Sequence, residues 1–173
     1  MNNKIIIMAI LLTSILVACA PLASTSPRAD NFAFVFQDFS CGSTPVNVLD
    51  TSSSTLVYTP LGDTDSITIS LRLSDDELDS IYQKAMSIGF FDYSSEFVVP
   101  NDQILGYHAP SSSYHLSMTN GELSNSISWR DDTMTKPGYK KADQLRELIK
   151  LIDEIIQSHP EVQGLPGPKA QCA

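Results

Sequence analysis

The chain carries three cysteines and three histidines, the residue types best suited to covalent or metal chemistry. His108 and His115 are seven positions apart, which matches no standard metal-ligand spacing, and neither His-Glu-x-x-His nor Cys-x-x-Cys occurs. A Gly-x-Ser-x-Gly elbow and a glycine-rich phosphate loop are also missing from the sequence. The sequence therefore predicts no metal, no cofactor and no identifiable catalytic residue, although a serine, a histidine and an acid could still meet in the folded chain.

Cys19 differs from the other two cysteines, because it directly follows an apolar run near the start of the chain. Lys4 precedes the mostly apolar residues 5–17, and this order of parts is typical of an export signal. The stretch Leu16-Val17-Ala18-Cys19 resembles the lipobox of bacterial lipoproteins. The resemblance implies that residues 1–18 are removed and that Cys19 is acylated. The protein would then be exported and held at the membrane surface by lipid, on the outer membrane if the organism has two.

Two alternatives compete with the lipobox. A transmembrane helix needs about 20 apolar residues, and the run at 5–17 is shorter. An ordinary secretory signal with a chance cysteine is the second alternative.

Cys41 and Cys172 remain for a disulfide in an oxidising compartment. The bond would close a loop that spans nearly the whole domain, which the chain-entropy model values at roughly 5 kcal/mol. Two free thiols are the alternative. Cys41 as a nucleophile would need a histidine base, and nothing in the sequence brings one to it.

Trp129 and Arg130 are the strongest candidates for a binding surface, because tryptophan and arginine are favoured in binding hot spots. His108 and His115 join them in the candidate patch. The alternative interpretation places Trp129 in the core and pairs Arg130 with a nearby acid.

Composition limits the function classes. Removal of residues 1–18 would leave 155 of 173 residues, enough for one domain, and would move the net charge from −9 to −10. An acidic surface repels phosphate, so nucleic acid is excluded as an expected partner. Residues 19–31 are small, polar and proline-containing, which predicts a flexible tether, and residues 32–173 form the predicted domain.

Periodicity predicts an α+β fold, with an antiparallel sheet of about six to seven strands, two amphipathic helices on it and one disulfide. Phe32, Phe34 and Phe36 alternate as in a strand, and Asn120-Gly121 lies between two alternating runs as in a hairpin. The regions 101–113 and 130–138 are expected to be loops, and the tail from residue 160 is expected to be extended.

Two helices follow from apolar stripes at helical spacing. One begins at the capping box of Ser74 and Glu77 and ends at Gly89. The other covers residues 142–157. Their apolar stripes should face the sheet, while Lys84 and Arg146 should face water.

The motifs at residues 48–51, 73–84 and 90–93 resemble a group of small exported bacterial proteins of unassigned activity. The likeness covers roughly residues 32–172 and rests on structural motifs. It implies a single fold and transfers no catalytic residue.

Three functions follow from these observations. The leading hypothesis is a lipid-anchored, non-enzymatic binding or accessory module that takes a protein or an envelope polymer as partner. The second is an envelope hydrolase, which a pocket joining His108 or His115 to a nucleophile would favour. The third is a small inhibitor of an envelope-directed hydrolase, which an exposed apolar or aromatic patch would favour.

Overall fold

Seven strands form one sheet, and two long helices cover one of its faces. The computed structural model describes residues 27–39 and 46–167. The strands are β1 (Ala33–Asp38), β2 (Asn47–Asp50), β3 (Thr55–Tyr58), β4 (Ile67–Ser70), β5 (Glu96–Phe97), β6 (Ile104–Asn120) and β7 (Leu123–Thr135). The helices are α1 (Asp75–Ile88), α2 (Lys140–Ser158) and α3 (Pro160–Gln163), with 3₁₀ turns at Phe90–Asp92 and Asn101–Gln103. The predicted α+β class is confirmed.

The strand order is β4-β3-β2-β1-β6-β7-β5. Every neighbouring pair is antiparallel except β5 and β7, which are parallel. The prediction of an antiparallel sheet therefore holds for all pairs but one. Parallel strands need a long connection between them, and here the whole of β6 supplies it.

Alternation along the strands separates a covered face from an uncovered one. Phe34 and Phe36 of β1 are buried on the covered face, together with Leu116 and Met118 of β6. The helix stripes pack into the same core, as predicted: Ile81, Ala85, Leu145, Leu148, Ile149, Ile152 and Ile156 are buried, and Leu78 and Ile88 are half-buried.

The predicted caps of α1 are present. The Ser74 N–H donates to Glu77 Oε2 at 2.7 Å, and the Glu77 N–H donates to Ser74 Oγ at 3.3 Å. Gly89 ends the helix with φ 69°, a left-handed conformation that glycine adopts without strain.

The prediction that Lys84 and Arg146 face water is wrong. Both are half-buried because each reaches a carboxylate on another element. Lys84 forms an ion pair with Glu147 of α2, and Arg146 binds Asp131 of β7 through Nη2 and Oδ1 at 2.7 Å.

The predicted hairpin at Asn120-Gly121 is confirmed, and Gly121 has φ 64° at the turn. Its strands are much longer than expected, because β6 begins at Ile104 and β7 continues to Thr135. The loops expected at 101–113 and 130–138 are therefore largely strand. Gly106 and the cis Ala109–Pro110 bond lie where the register between β6 and β7 shifts, and such irregularities tolerate residues that weaken a regular strand.

The tail is not wholly extended as predicted, since α3 follows α2 directly and buries Val162. Pro160 begins this helix because a proline lacks only the N–H that the first helical turn leaves free.

The last residues of the predicted tether are bound to the domain. Arg28 forms ion pairs with Asp75 and Asp79 of α1. The Ala29 N–H donates to Asn120 Oδ1 at 2.7 Å, and the Gly121 N–H donates to Asn31 Oδ1 at 3.0 Å.

Cys19, Cys41 and Cys172 lie outside the described residues, so the lipid site and the disulfide stay predictions. Within residues 27–39 and 46–167, none of the helices combines the length and the apolar character that a membrane crossing requires.

Candidate functional site

A cavity of about 780 Å³ lies on the uncovered face of the sheet, at the end of β6 and β7 that is distant from the hairpin turn. Two rows of cross-strand neighbours line it. One row is Gln37, His115, Ser128 and Glu96; the other is Phe39, Ser113, Arg130 and Val98. We call this cavity, defined by these eight residues with Tyr107 and Asp132, the trough.

The trough owes its depth to two irregularities in the long hairpin. The register between β6 and β7 shifts between Ile104 and Gly106 and again between Tyr107 and Ser112. An extra residue on one strand bends it and increases its twist. The bent segment brings Ile104 and Tyr107 to the wall of the trough, opposite the flat row that contains His115.

His115 lies in the middle of the trough floor between two serines of β7. Its Nδ1 is 3.1 Å from Ser128 Oγ, and its Nε2 is 3.2 Å from Ser126 Oγ. A neutral imidazole donates from one nitrogen and accepts at the other. The two hydroxyls therefore contact both ring nitrogens and hold the ring between them.

Charged groups border the trough and nearly balance. Arg130 Nε is 3.1 Å from Asp132 Oδ2, and 69% of the Arg130 side chain is exposed. Glu96 is exposed at the edge strand β5. Apart from His115, the described lining residues carry one arginine and two carboxylates, which leaves them slightly acidic.

Apolar side chains stand exposed near the rim. Tyr107 is 68% exposed and Val98 is 74% exposed, and both line the trough. Leu105 and Met134 of the same bent segment are also exposed. Exposed apolar groups that cluster in this way are typical of an interaction surface.

Trp129 also borders the trough, but its indole is 3% exposed and packs on the covered face. Its ring makes an edge contact with Phe97 and lies beneath the Arg146 guanidinium, 5.5 Å from the ring centroid. Within the described residues, the Trp129 Nε1 and the Thr133 hydroxyl are the buried side-chain polar atoms that lack a hydrogen-bond partner.

Arg146 organises the layer beneath the trough. It donates to Asp131 from Nε and Nη2, and its Nη2 also donates to the Thr133 carbonyl oxygen at 2.7 Å. The hydrogen bonds to Asp131 raise the pKa of Arg146, so the guanidinium stays charged. His108 Nε2 lies 3.6 Å from Asp131 Oδ1.

Tyr114 lies next to His115 on β6 and also borders the trough. It is half-buried and stacks on Phe36, with ring centroids 6.2 Å apart. Burial raises the pKa of Tyr114, so its hydroxyl stays neutral.

The structure thus brings Trp129, Arg130 and His115 of the predicted patch to one cavity, while His108 lies outside the lining. The alternative interpretation of Trp129 and Arg130 describes their own contacts correctly, because Trp129 is in the core and Arg130 pairs with Asp132.

Sequence reasoning missed Gln37, Ser128 and Tyr107 as lining residues. Gln37 and Ser128 follow from alternation once the strand pairing is known. Tyr107 has no such signal, because its place depends on the register shifts.

The residues that the structure describes include no group of three or more His, Cys, Asp or Glu side chains placed to hold a metal ion. A scan against protein-family models found no matching family, and a search of curated proteins found no similar sequence.

Proposed function

We propose that the protein is a non-enzymatic binding module, held at the cell envelope by lipid on Cys19, and that the trough is its binding site. The observation that carries the proposal is the cavity itself. Its volume of about 780 Å³ falls in the usual range of ligand sites, roughly 300 to 1,000 Å³. Its lining mixes apolar surface with a few polar groups on rigid strands, which is the composition of a pre-formed binding site.

The main alternative is a hydrolase that uses His115 and Ser128, since a histidine and a serine meet in this cavity. A serine nucleophile needs a base that is itself oriented and stabilised as it takes up charge, usually by a carboxylate. Both ring nitrogens of His115 contact serine hydroxyls instead. The ring is therefore held as a polar group, and among residues 27–39 and 46–167 no carboxylate bonds to it to stabilise an imidazolium.

The backbone around Ser128 also argues for binding rather than catalysis. Acyl transfer needs N–H donors aimed at the developing oxyanion. The Ser128 N–H instead donates to the Ser95 carbonyl oxygen at 2.7 Å, within the pairing of β5 and β7. A serine in the middle of a paired strand cannot turn this N–H toward a substrate without breaking the sheet.

Nuclear magnetic resonance tests the site directly. We expect compounds from a fragment library to shift the backbone amide signals of Gln37, His115 and Ser128 before those of other residues. Ser128→Tyr should abolish these shifts by filling the trough. Ser124→Tyr is the matched control, because Ser124 is exposed on the same face of β7 and lies outside the trough.

Two results would contradict the proposal. The trough is not a binding site if no fragment shifts these amides, or if Ser128→Tyr and Ser124→Tyr bind equally well. Recovery of a bound ligand in hydrolysed form, with loss of that hydrolysis in His115→Ala, would favour the hydrolase instead.

A second candidate function, inhibition of an envelope-directed hydrolase, draws support from the exposed apolar side chains of Val98, Leu105 and Tyr107. An inhibitor of this kind should block a wall-cleaving muramidase at equimolar concentration. Leu105→Asp should relieve that block, because a charge on an apolar interface is costly to bury. Full muramidase activity in the presence of excess protein would remove this candidate.

Lipid attachment has its own test. Cells that express the full chain should incorporate labelled palmitate into it, and the protein should partition into the detergent phase. Cys19→Ala should lose the label and remain uncleaved or mislocalised. Mass spectrometry that finds a mature protein with an unmodified Cys19 would refute the anchor.

A further inference from the structure

We infer that the ligand of the trough is a neutral oligosaccharide. The inference rests on the proposed function, because it names the chemical class that the proposed binding site accepts. Four properties of the trough support it. These are the hydrogen-bonding side chains on the floor, the apolar wall, the net negative charge of the lining, and a floor whose backbone groups are already paired within the sheet.

The polar groups on the floor both donate and accept hydrogen bonds. Gln37 offers an amide and Ser128 a hydroxyl, while His115, the direct cross-strand neighbour of Gln37, orients the Ser128 hydroxyl through its Nδ1. A sugar hydroxyl likewise donates and accepts at once. A row of such groups on one rigid strand surface therefore matches a row of hydroxyls on a sugar chain.

Aromatic side chains stand beside this polar row. Tyr107 is 68% exposed on the wall, and half-buried Phe39 lies at the end of β1. The ring faces of a sugar carry C–H groups, and these pack against the negative face of an aromatic ring. An exposed tyrosine over a polar floor would thus contact both kinds of sugar surface.

The charges oppose an anionic ligand. Among the described lining residues, the carboxylates of Glu96 and Asp132 outnumber the single arginine, Arg130, which pairs with Asp132 through Nε. The chain as a whole has a net charge of −9. A polyanion would therefore meet net repulsion at the trough.

An extended peptide fits less well. A peptide is usually recognised by adding a strand to a free edge, where backbone groups pair. The floor of the trough is formed mainly by β1, β6 and β7, each of which pairs on both sides, and the edge strand β5 has only two residues to offer an added strand. Ligand selection then falls to side chains, which favours sugar hydroxyls over backbone amides.

The test is titration of the full chain, in detergent if it is lipidated, with four tetrasaccharides. Cellotetraose, maltotetraose and the tetramer of N-acetylglucosamine are neutral, and the tetramer of galacturonic acid is anionic. At least one neutral tetramer should shift the amide signals of Gln37, His115 and Ser128. The anionic tetramer should bind at least about tenfold more weakly than that neutral one.

Variants test which groups select the sugar. Tyr107→Ala should weaken binding of the neutral tetramer about tenfold, while Tyr107→Phe keeps the ring and should stay near the wild type. Gln37→Leu should also weaken it about tenfold, because an apolar side chain leaves a sugar hydroxyl unpaired. Leu123→Ala and Thr119→Leu are exposed controls near the hairpin turn, outside the trough, and should change nothing.

The outcomes separate this inference from the proposed function. If fragments shift the trough amides but no neutral tetramer binds, the saccharide inference is wrong and the binding site stands. Stronger binding of the anionic tetramer, or of a tetrapeptide, would overturn the inference in the same way. If neither fragments nor sugars bind, both are wrong.

Discussion

The two ends of the β6–β7 hairpin are built in opposite ways. At the turn end, polar side chains hold the hairpin to its neighbours. Asn120 accepts from the Ala29 N–H and donates to the Tyr82 hydroxyl, and Asn125 donates to the carbonyl oxygens of Phe90 and Tyr93. At the trough end the register shifts, apolar side chains are exposed, and the Thr133 hydroxyl has no hydrogen-bond partner among the described residues.

If the trough binds a ligand as proposed, this difference separates stability from binding within one hairpin. Local violations of packing and hydrogen bonding tend to collect at functional sites, while the rest of a protein supplies the stability. On the covered face both ends carry buried contacts, since Trp129 and Arg146 pack beneath the trough. The difference lies in the bent segment of β6 and the exposed side chains beside it, which can present a shaped surface at little expected cost to stability.

Truncation of one aromatic side chain at each end should give the largest difference in the free energy of unfolding. Phe32 is buried at the turn end and contacts Tyr82 edge to face, with centroids 5.3 Å apart. Phe32→Ala should lower the free energy of unfolding by about 3 to 5 kcal/mol, because it leaves a cavity. Tyr107→Ala at the trough end should change it by less than about 0.5 kcal/mol. Urea denaturation of both variants measures the contrast, and equal losses would break the comparison.

Asn125 tests whether hydrogen bonds hold the turn end. Asn125→Ala removes the side-chain donor from the carbonyl oxygens of Phe90 and Tyr93, and we expect a loss of about 1 to 3 kcal/mol. Asn101→Ala is the control, since Asn101 is an exposed amide on the trough side. An equal melting temperature for wild type and Asn125→Ala would show that these bonds contribute nothing.

Asp153 of α2 tests the electrostatics near the trough end. Burial, and then the charge of Asp38, raise the pKa of Asp153. The unfolded chain ionises this carboxyl first as pH rises from about 3.9, so the folded state loses stability over the interval up to the raised pKa. Asp153→Asn should therefore stabilise the protein at pH 7, by up to about 1 kcal/mol because solvent screens a half-buried group.

The gain from Asp153→Asn should vanish at pH 3, where the wild-type carboxyl is protonated in both states. Thermal melts at the two pH values measure it. Exposed Asp65→Asn serves as the control. A gain that persists at pH 3 would assign the effect to packing rather than to charge.

The smallest expected effect on stability comes from Thr133, which lies at the trough end. Thr133→Val removes a buried hydroxyl that has no partner in the described part of the chain. We expect stability within about 0.5 kcal/mol of the wild type, or slightly above it, because no hydrogen bond is lost. A loss of more than about 1 kcal/mol in calorimetry would show that this hydroxyl is bonded in solution.

Much of the fold was predictable because its signals are local. The capping box at Ser74, the αL glycine at position 89, the Asn120-Gly121 turn and the apolar stripe of α2 each depend on a few neighbouring residues. The strand at 104–112 was not predictable, since glycine, proline and serine there resemble a loop. Only pairing with β7 stabilises that segment as a strand.

The site was predictable only in part, for a related reason. Trp129, Arg130 and His115 stood out by residue type, and all three border the trough. Gln37 and Glu96 are ordinary residues whose role depends on lying in one row with His115 and Ser128. That row exists only after β1, β6, β7 and β5 have paired, and no local pattern encodes the pairing.

The attachment of Arg28 to α1 fixes which end of the domain lies nearer to Cys19, and therefore to a lipid on that residue. From Cys19 to Arg28 the chain can extend at most about 30 Å, and it joins the domain beside the hairpin turn. The seven residue steps along β6 from Asn120 back to Ser113 place the trough more than about 20 Å further along the hairpin. On a lipidated protein, the turn end of the hairpin would lie near the bilayer. The trough would lie at the opposite end, where it could reach a ligand further from the membrane.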